Sequence, residues 1–218
     1  ILDWTFKQRG VRENIELHVF TPEPMPLAVA GQEAGVRLTR AMERRGIQVH
    51  TNAAVTEVAR SGREATFSDG SSMDAELVIT VPTHRAPPVV ASAGIGNGPG
   101  WIDVSPRTLE TRHAGVYAVG DVTMVPMANG RPLPKAGVFA SSEGETAGRN
   151  IAAAINGSEP AVFPGVGHCF IAYSGTQVGM VRGEFLAEGA PKVRLQPASA
   201  RGYRAKERFE RDWRRFRI

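Results

Sequence analysis

Apolar residues fall in short bursts separated by glycine- and proline-rich breaks, and the period of each burst predicts its element. Leu2 and Phe6, four positions apart and followed by Gly10, predict a helix over 1–9 with a left-handed glycine stop. Ile15, Leu17 and Val19 alternate with polar neighbours, predicting a strand over 15–20 that ends at the proline cluster of 21–26, where Glu23 reads as a turn acid. Ala34, Leu38, Ala41 and Met42 give a helical period closed by Gly46. Strands follow over 47–50, 55–59 and 64–67, with Ser68-Asp69-Gly70 as a tight turn because glycine tolerates positive φ. Residues 76–81, Glu-Leu-Val-Ile-Thr-Val, are apolar enough for a buried central strand, and Pro82 ends it.

Residues 83–100 are rich in proline and glycine and read as a linker. Short strands are expected over 102–104 and 115–119. A helix is expected over 141–155, with Ala140, Ala147, Ile151 and Ala154 on its packed side and Gly144 and Gly148 allowing close approach of a neighbour. Beyond the break at 157–160 come strand-like segments over 169–173 and 177–182, a polar loop and a terminal helix. This order predicts an α/β nucleotide-binding fold, Rossmann-like, with an antiparallel insertion and a small α+β region at the C-terminal end.

The composition fits an ordinary globular protein: 218 residues, 42% hydrophobic, 22% charged, with 24 glycines and 15 prolines. Apolar runs stay far below the roughly 18 residues of a membrane span. One cysteine, Cys169, excludes an internal disulfide framework and a multi-cysteine zinc site, and it suits a reducing, cytoplasmic compartment. The five histidines are scattered and suggest no metal site. The net charge of +4 is uneven, because residues 201–218 hold eight basic and three acidic side chains. With Phe209, Trp213 and Phe216 on one stripe, that segment is an amphipathic cationic helix. It suits docking on its own domain or peripheral membrane contact better than nucleic acid.

The glycine-rich run Gly94-Ile95-Gly96-Asn97-Gly98-Pro99-Gly100 has the wrong spacing for a dinucleotide fingerprint and reads as a loop. A stronger signal is Thr111, then Val116-Tyr117-Ala118-Val119-Gly120-Asp121. There an apolar segment delivers a residue without Cβ, followed by a carboxylate suited to a sugar-alcohol hydroxyl. Taken alone, Gly120-Asp121 better suits a strand-to-helix turn with an aspartate cap, and it is the full eleven-residue pattern that favours the ligand reading. Leu133-Pro134-Lys135-Ala136-Gly137-Val138-Phe139-Ala140 runs into a helix whose free N–H groups and positive dipole end, reinforced by Lys135, favour negative charge.

Together, these two motifs resemble the second FAD-binding motif and flavin-ring segment of FAD-dependent pyridine nucleotide-disulfide-type oxidoreductases. The likeness is to the sulfide:quinone oxidoreductase and flavocytochrome c sulfide dehydrogenase group. The resemblance implies FAD as cofactor, with Gly120 and Asp121 at the ribityl chain and Lys135, Ala136 and Gly137 at the ring end. It also implies a catalytic role for Cys169, which lies where such enzymes carry a redox cysteine. Electrons would pass from a reduced small-molecule donor, sulfide-like or NAD(P)H, through flavin to an acceptor such as a quinone. Residues 1–105 are then the latter part of an NAD-type domain, 106–160 the C-terminal half of an FAD domain, and 161–218 a C-terminal region of strands and a basic helix. The family's first glycine-rich FAD motif has no counterpart here, so the sequence is expected to be the C-terminal portion of a larger flavoprotein. The alternative is a non-catalytic membrane- or partner-binding module that keeps the flavoprotein fold.

Overall fold

The computed structural model describes residues 1–215, and their contacts divide into two compact units. The first comprises 1–82, 170–180 and 195–215, and the second 83–169 and 181–194.

In the first unit, helix α1 (Leu2–Gln8) ends at Gly10, whose φ is 68°. Its buried residue is Asp3, while Leu2 is exposed, so an ion cluster orients the helix in place of the expected apolar pair. Arg12 Nε donates to Asp3 at 2.8 Å and Lys7 Nζ at 3.1 Å. Burial pushes the Asp3 carboxyl up, but these cations and their hydrogen bonds outweigh it and hold the pKa below the usual range. Arg12 also donates to the Arg45 and Gly46 carbonyls, tying α1 to the end of helix α2 (Gln32–Glu43). Strands β1 (Leu17–Phe20) and β2 (Ile47–His50) pair in parallel, Leu17 opposite Ile47 and Phe20 opposite His50, with α2 in the crossover between them. The antiparallel insertion follows as β3 (Val55–Val58), β4 (Glu64–Phe67) and β5 (Ser72–Asp74). Its core is Ala53, Ala65 and Phe67, with Phe20 stacked on Phe67 at 4.0 Å.

The expected central strand at 76–81 is not one. Among the described residues no strand pairs with it, and Leu77, Ile79 and Val81 are 71, 69 and 79% exposed. Apolar alternation makes a strand only when another backbone satisfies its hydrogen bonds.

In the second unit the expected linker contains a short helix, α3 (Pro88–Ser92), whose first residue is a proline at the position where its missing N–H costs nothing. Strand β6 (Ile102–Asp103) pairs in parallel with β7 (Thr123–Met124). The strand expected over 115–119 is reduced to one bridge, Glu110 to Tyr117, because a turn at 113–116 folds the chain back on itself. Helix α4 (Gly137–Asn156) starts earlier than predicted and ends at Gly157, with φ 67°. Its buried face is Phe139, Glu143, Thr146, Ala147, Asn150 and Ala153, rotated from the expected one. Ile151 is 47% exposed, Ala154 is exposed, and Gly144 and Gly148 face open space. Polar partners cause the rotation: Asn150 Nδ2 donates to the Thr108 carbonyl at 2.9 Å, and its Oδ1 accepts from Ala161 N–H at 2.6 Å.

Strands β8 (Val166–Ala172), β9 (Val178–Glu184) and β10 (Lys192–Ser199) form a sheet of order β10-β9-β8. Strand β10 lies in what the sequence presents as a polar loop. As an edge strand it tolerates Pro197 and points Lys192, Arg194 and Gln196 to solvent. Helix α5 (Ala200–Arg215) follows, with Phe209 against Phe170 at 5.6 Å and Trp213 at 5.8 Å, so part of its aromatic stripe docks on its own unit. Phe216 of that stripe lies outside the described residues. Among the described residues no helix is long and apolar enough to cross a membrane, and no cluster suits a metal ion.

Candidate functional site

The second unit brings the two sequence motifs into one place. Gly120 opens a single helical turn over Gly120–Val122 with φ 76°, a left-handed conformation that glycine alone adopts without strain. A Cβ placed there would meet Ala140 at an ordinary 3.5 Å, so backbone conformation is what demands glycine. Thr123 Oγ1 donates back to the Gly120 carbonyl at 2.8 Å and closes the turn. Asp121 is exposed, and its carboxylate is available to a ligand hydroxyl.

Lys135 is a fixed cation. Its ammonium donates to the Asp121 carbonyl at 2.5 Å and the Thr123 carbonyl at 3.0 Å, and lies 3.7 Å from the centre of the Trp101 ring. Burial lowers its pKa, while the charges of Asp121 and Glu143 work the other way. Trp101 is in turn held by Asn97, whose Oδ1 accepts from the Trp101 N–H and whose Nδ2 donates to Asp103. The glycine-rich run at 94–100 therefore contains the residue that anchors the Trp101 backbone beside Lys135.

Behind the turn sits Glu143, 2% exposed, whose carboxyl accepts the Gly120 N–H at 2.5 Å. Burial raises its pKa; the Gly120 hydrogen bond opposes this, Asp121 adds to it, and Lys135 opposes it. Sequence reasoning missed Glu143 and Trp101. A charged residue within the Phe139–Ala147–Asn150 stripe of α4 was the available signal for the first. Nothing in the spacing marked the second.

Gly120, Asp121, Lys135, Ala136 and Glu143 line one small, open cavity. Gly137 is the first residue of α4, where backbone N–H groups lack intrahelical partners. The residues around it thus include a carboxylate acceptor, an ammonium and a helix N-terminus. This donor set fits a flavin dinucleotide, whose polyol supplies hydroxyls and whose reduced ring carries negative charge.

Cys169 is not among the residues lining this cavity. It shares a face of β8 with Gly167, where any Cβ would collide with the Phe139 ring of α4. Its thiol is half buried, and burial pushes the pKa up. Burial also drives His168 toward the neutral form, helped by Arg182, so His168 does not supply a cation that would stabilise a thiolate.

A profile of the pyridine nucleotide-disulphide oxidoreductase family matches residues 5–144. The structure superposes on sulfide:quinone oxidoreductase from Aquifex aeolicus with a TM-score of 0.82 at 21% identity, over 96% of this chain and 52% of the other. It also matches a ferredoxin reductase from Rhodopseudomonas palustris (TM-score 0.58, 20% identity, 84% of this chain and 44% of the other). A NAD-dependent persulfide reductase from A. fulgidus matches with TM-score 0.58, 20% identity, 80% of this chain and 32% of the other. At these identities the likeness is one of fold, and the chain spans about half the length of the Aquifex protein.

Proposed function

This chain belongs to the pyridine nucleotide-disulphide oxidoreductase family, and from that premise we propose that it forms the flavin-facing part of an FAD-dependent oxidoreductase. The observation that carries the reading is the convergence of Gly120, Asp121 and Lys135 on one cavity at the start of α4. Asp121 accepts ribityl hydroxyls, Gly120 lets the backbone approach, and Lys135, Ala136 and the Gly137 helix start face the ring end. Bound FAD supplies two-electron chemistry, and these residues orient it and stabilise the charge it gains. Residues 1–105 serve as the latter part of the NAD-type domain, 106–160 as the C-terminal half of the FAD domain, and 161–218 as the C-terminal region.

The donor in this reading is sulfide-like or NAD(P)H, and the acceptor a small molecule such as a quinone. Cys169 is the thiol that meets a sulfur donor, working at elevated pH because burial disfavours its thiolate. The cationic α5, with Trp213 41% exposed, is the part suited to peripheral contact with an anionic membrane surface.

The deciding measurement is the visible absorption spectrum of the intact gene product. Bound flavin is expected in the wild type, with affinity reduced about tenfold or more in Asp121→Ala, the loss of a hydrogen bond to a charged acceptor. A wild-type protein that neither holds nor takes up flavin sinks the reading. A Cys169→Ser variant is expected to lose sulfide-dependent flavin reduction and keep reduction by NAD(P)H, and unchanged turnover with sulfide removes Cys169 from the mechanism.

A further inference from the structure

Glu143 is a titratable side chain whose role the flavin reading does not use. It is 2% exposed on the second turn of α4, and its carboxyl accepts the backbone N–H of Gly120. That N–H belongs to the residue whose φ of 76° sets the direction of the following Asp121. The charged groups facing the carboxyl are Asp121 on the turn and Lys135 on the segment before α4. Lys135 is already committed to two carbonyls of the same turn and to the Trp101 face. When Glu143 is ionised, two carboxylates surround one ammonium. When it is protonated, the carbonyl oxygen still accepts the Gly120 N–H, and the local charge balances.

We propose that Glu143 is a positioning residue of the flavin site: its carboxyl holds Gly120 and so aims Asp121, and its ionisation couples flavin affinity to pH. The inference rests on the flavin reading for its ligand and on the Glu143–Gly120 contact for its geometry. FAD is an anion through its pyrophosphate, so it binds more tightly to the site that carries one negative charge fewer. Affinity therefore falls as pH rises through the ionisation of Glu143. A glutamine keeps an acceptor for Gly120 and has no charge to gain.

The test titrates FAD into the flavin-stripped intact gene product from about pH 5 to about pH 8, following flavin fluorescence, for wild type, Glu143→Gln and Glu143→Ala. Wild-type affinity is expected to weaken by about threefold to tenfold across the range, since one charge opposes the ligand. Glu143→Gln is expected to match the wild type at the acid end and to hold that affinity at the alkaline end. Glu143→Ala is expected to bind about tenfold more weakly than the wild type at the acid end, lacking the acceptor, and to show no pH slope of its own.

Hydrogen–deuterium exchange at the Gly120 amide, measured without flavin, is the second readout. It is expected to be slow in the wild type and Glu143→Gln and fast in Glu143→Ala. If the alanine variant does not fold, the glutamine variant carries the test alone. A glutamine variant with the wild-type pH slope overturns the coupling, and an alanine variant with wild-type protection at Gly120 overturns the positioning role. Wild-type protein that takes up no flavin at any pH overturns the flavin reading and the coupling with it, while exchange at Gly120 still decides the positioning role.

Discussion

Glu143 is also a group whose burial must register in stability. An unfolded chain releases a glutamate proton near pH ~4.3, whereas the folded chain keeps the Glu143 proton to higher pH because burial raises its pKa. Between those two values the folded state binds more protons than the unfolded one, so stability falls as pH rises and levels off once the folded carboxyl ionises. Glu143→Gln removes that decline, so its thermal midpoint is expected to match the wild type near pH ~4 and exceed it near neutrality. Parallel melting curves would contradict this. Gly120 makes a complementary case: Gly120→Ala meets no steric barrier at Ala140, so its expected cost is the left-handed backbone alone, about 1–2 kcal/mol in chemical denaturation. At this scale the sequence was most informative where chemistry and backbone demand coincide. Gly120 and Asp121 are legible because the glycine is required and the acid adjoins it. Glu143 was hidden because a glutamate in a helix ordinarily faces water.

The elements show where periodicity carries information and where it fails. Helix α2 follows its apolar period because Ala34 and Ala41 pack as the spacing suggests. Helix α4 does not, because hydrogen bonds decide its orientation. Asn150 satisfies two partly buried backbone groups at once, Thr108 C=O and Ala161 N–H, and so competes successfully with the exposed Ile151 for the packed face. Asn150→Ala leaves both groups unsatisfied, and the expected loss is roughly 2–4 kcal/mol of unfolding free energy. Asn150→Asp is expected to recover none of it near neutrality, since a buried carboxylate oxygen would face the Thr108 carbonyl where the amide donor stood. Equal stability of the alanine variant and the wild type would show that the helix face is set by its apolar residues after all. Strand β10 escaped sequence reading for the converse reason: at a sheet edge, alternation of charged and apolar residues looks like a loop until a neighbouring strand is known.

Across the whole molecule, the feature least legible from sequence is a strand pattern without a strand. Residues 76–81 have the β-branched, apolar composition of a buried strand, yet Leu77, Ile79 and Val81 are largely exposed and no described strand pairs with them. The same chain spans 52% of the Aquifex sulfide:quinone oxidoreductase on which it superposes, so the fold it matches contains about as much polypeptide again. Exposed backbone hydrogen-bonding groups beside three large apolar side chains form a template for pairing with another strand. The 218-residue chain expressed by itself is therefore expected to self-associate, giving light-scattering masses above a monomer that rise with concentration. Replacing Ile79 and Val81 by lysine places charge on that segment at positions which support no packing in the chain itself. Association should fall while the thermal midpoint stays within the small range typical of exposed sites, about 0.5 kcal/mol in stability. Undiminished association in the double variant would move the cause elsewhere, with the aromatic stripe of α5 the next segment to test, because Trp213 is 41% exposed beside the docked Phe209.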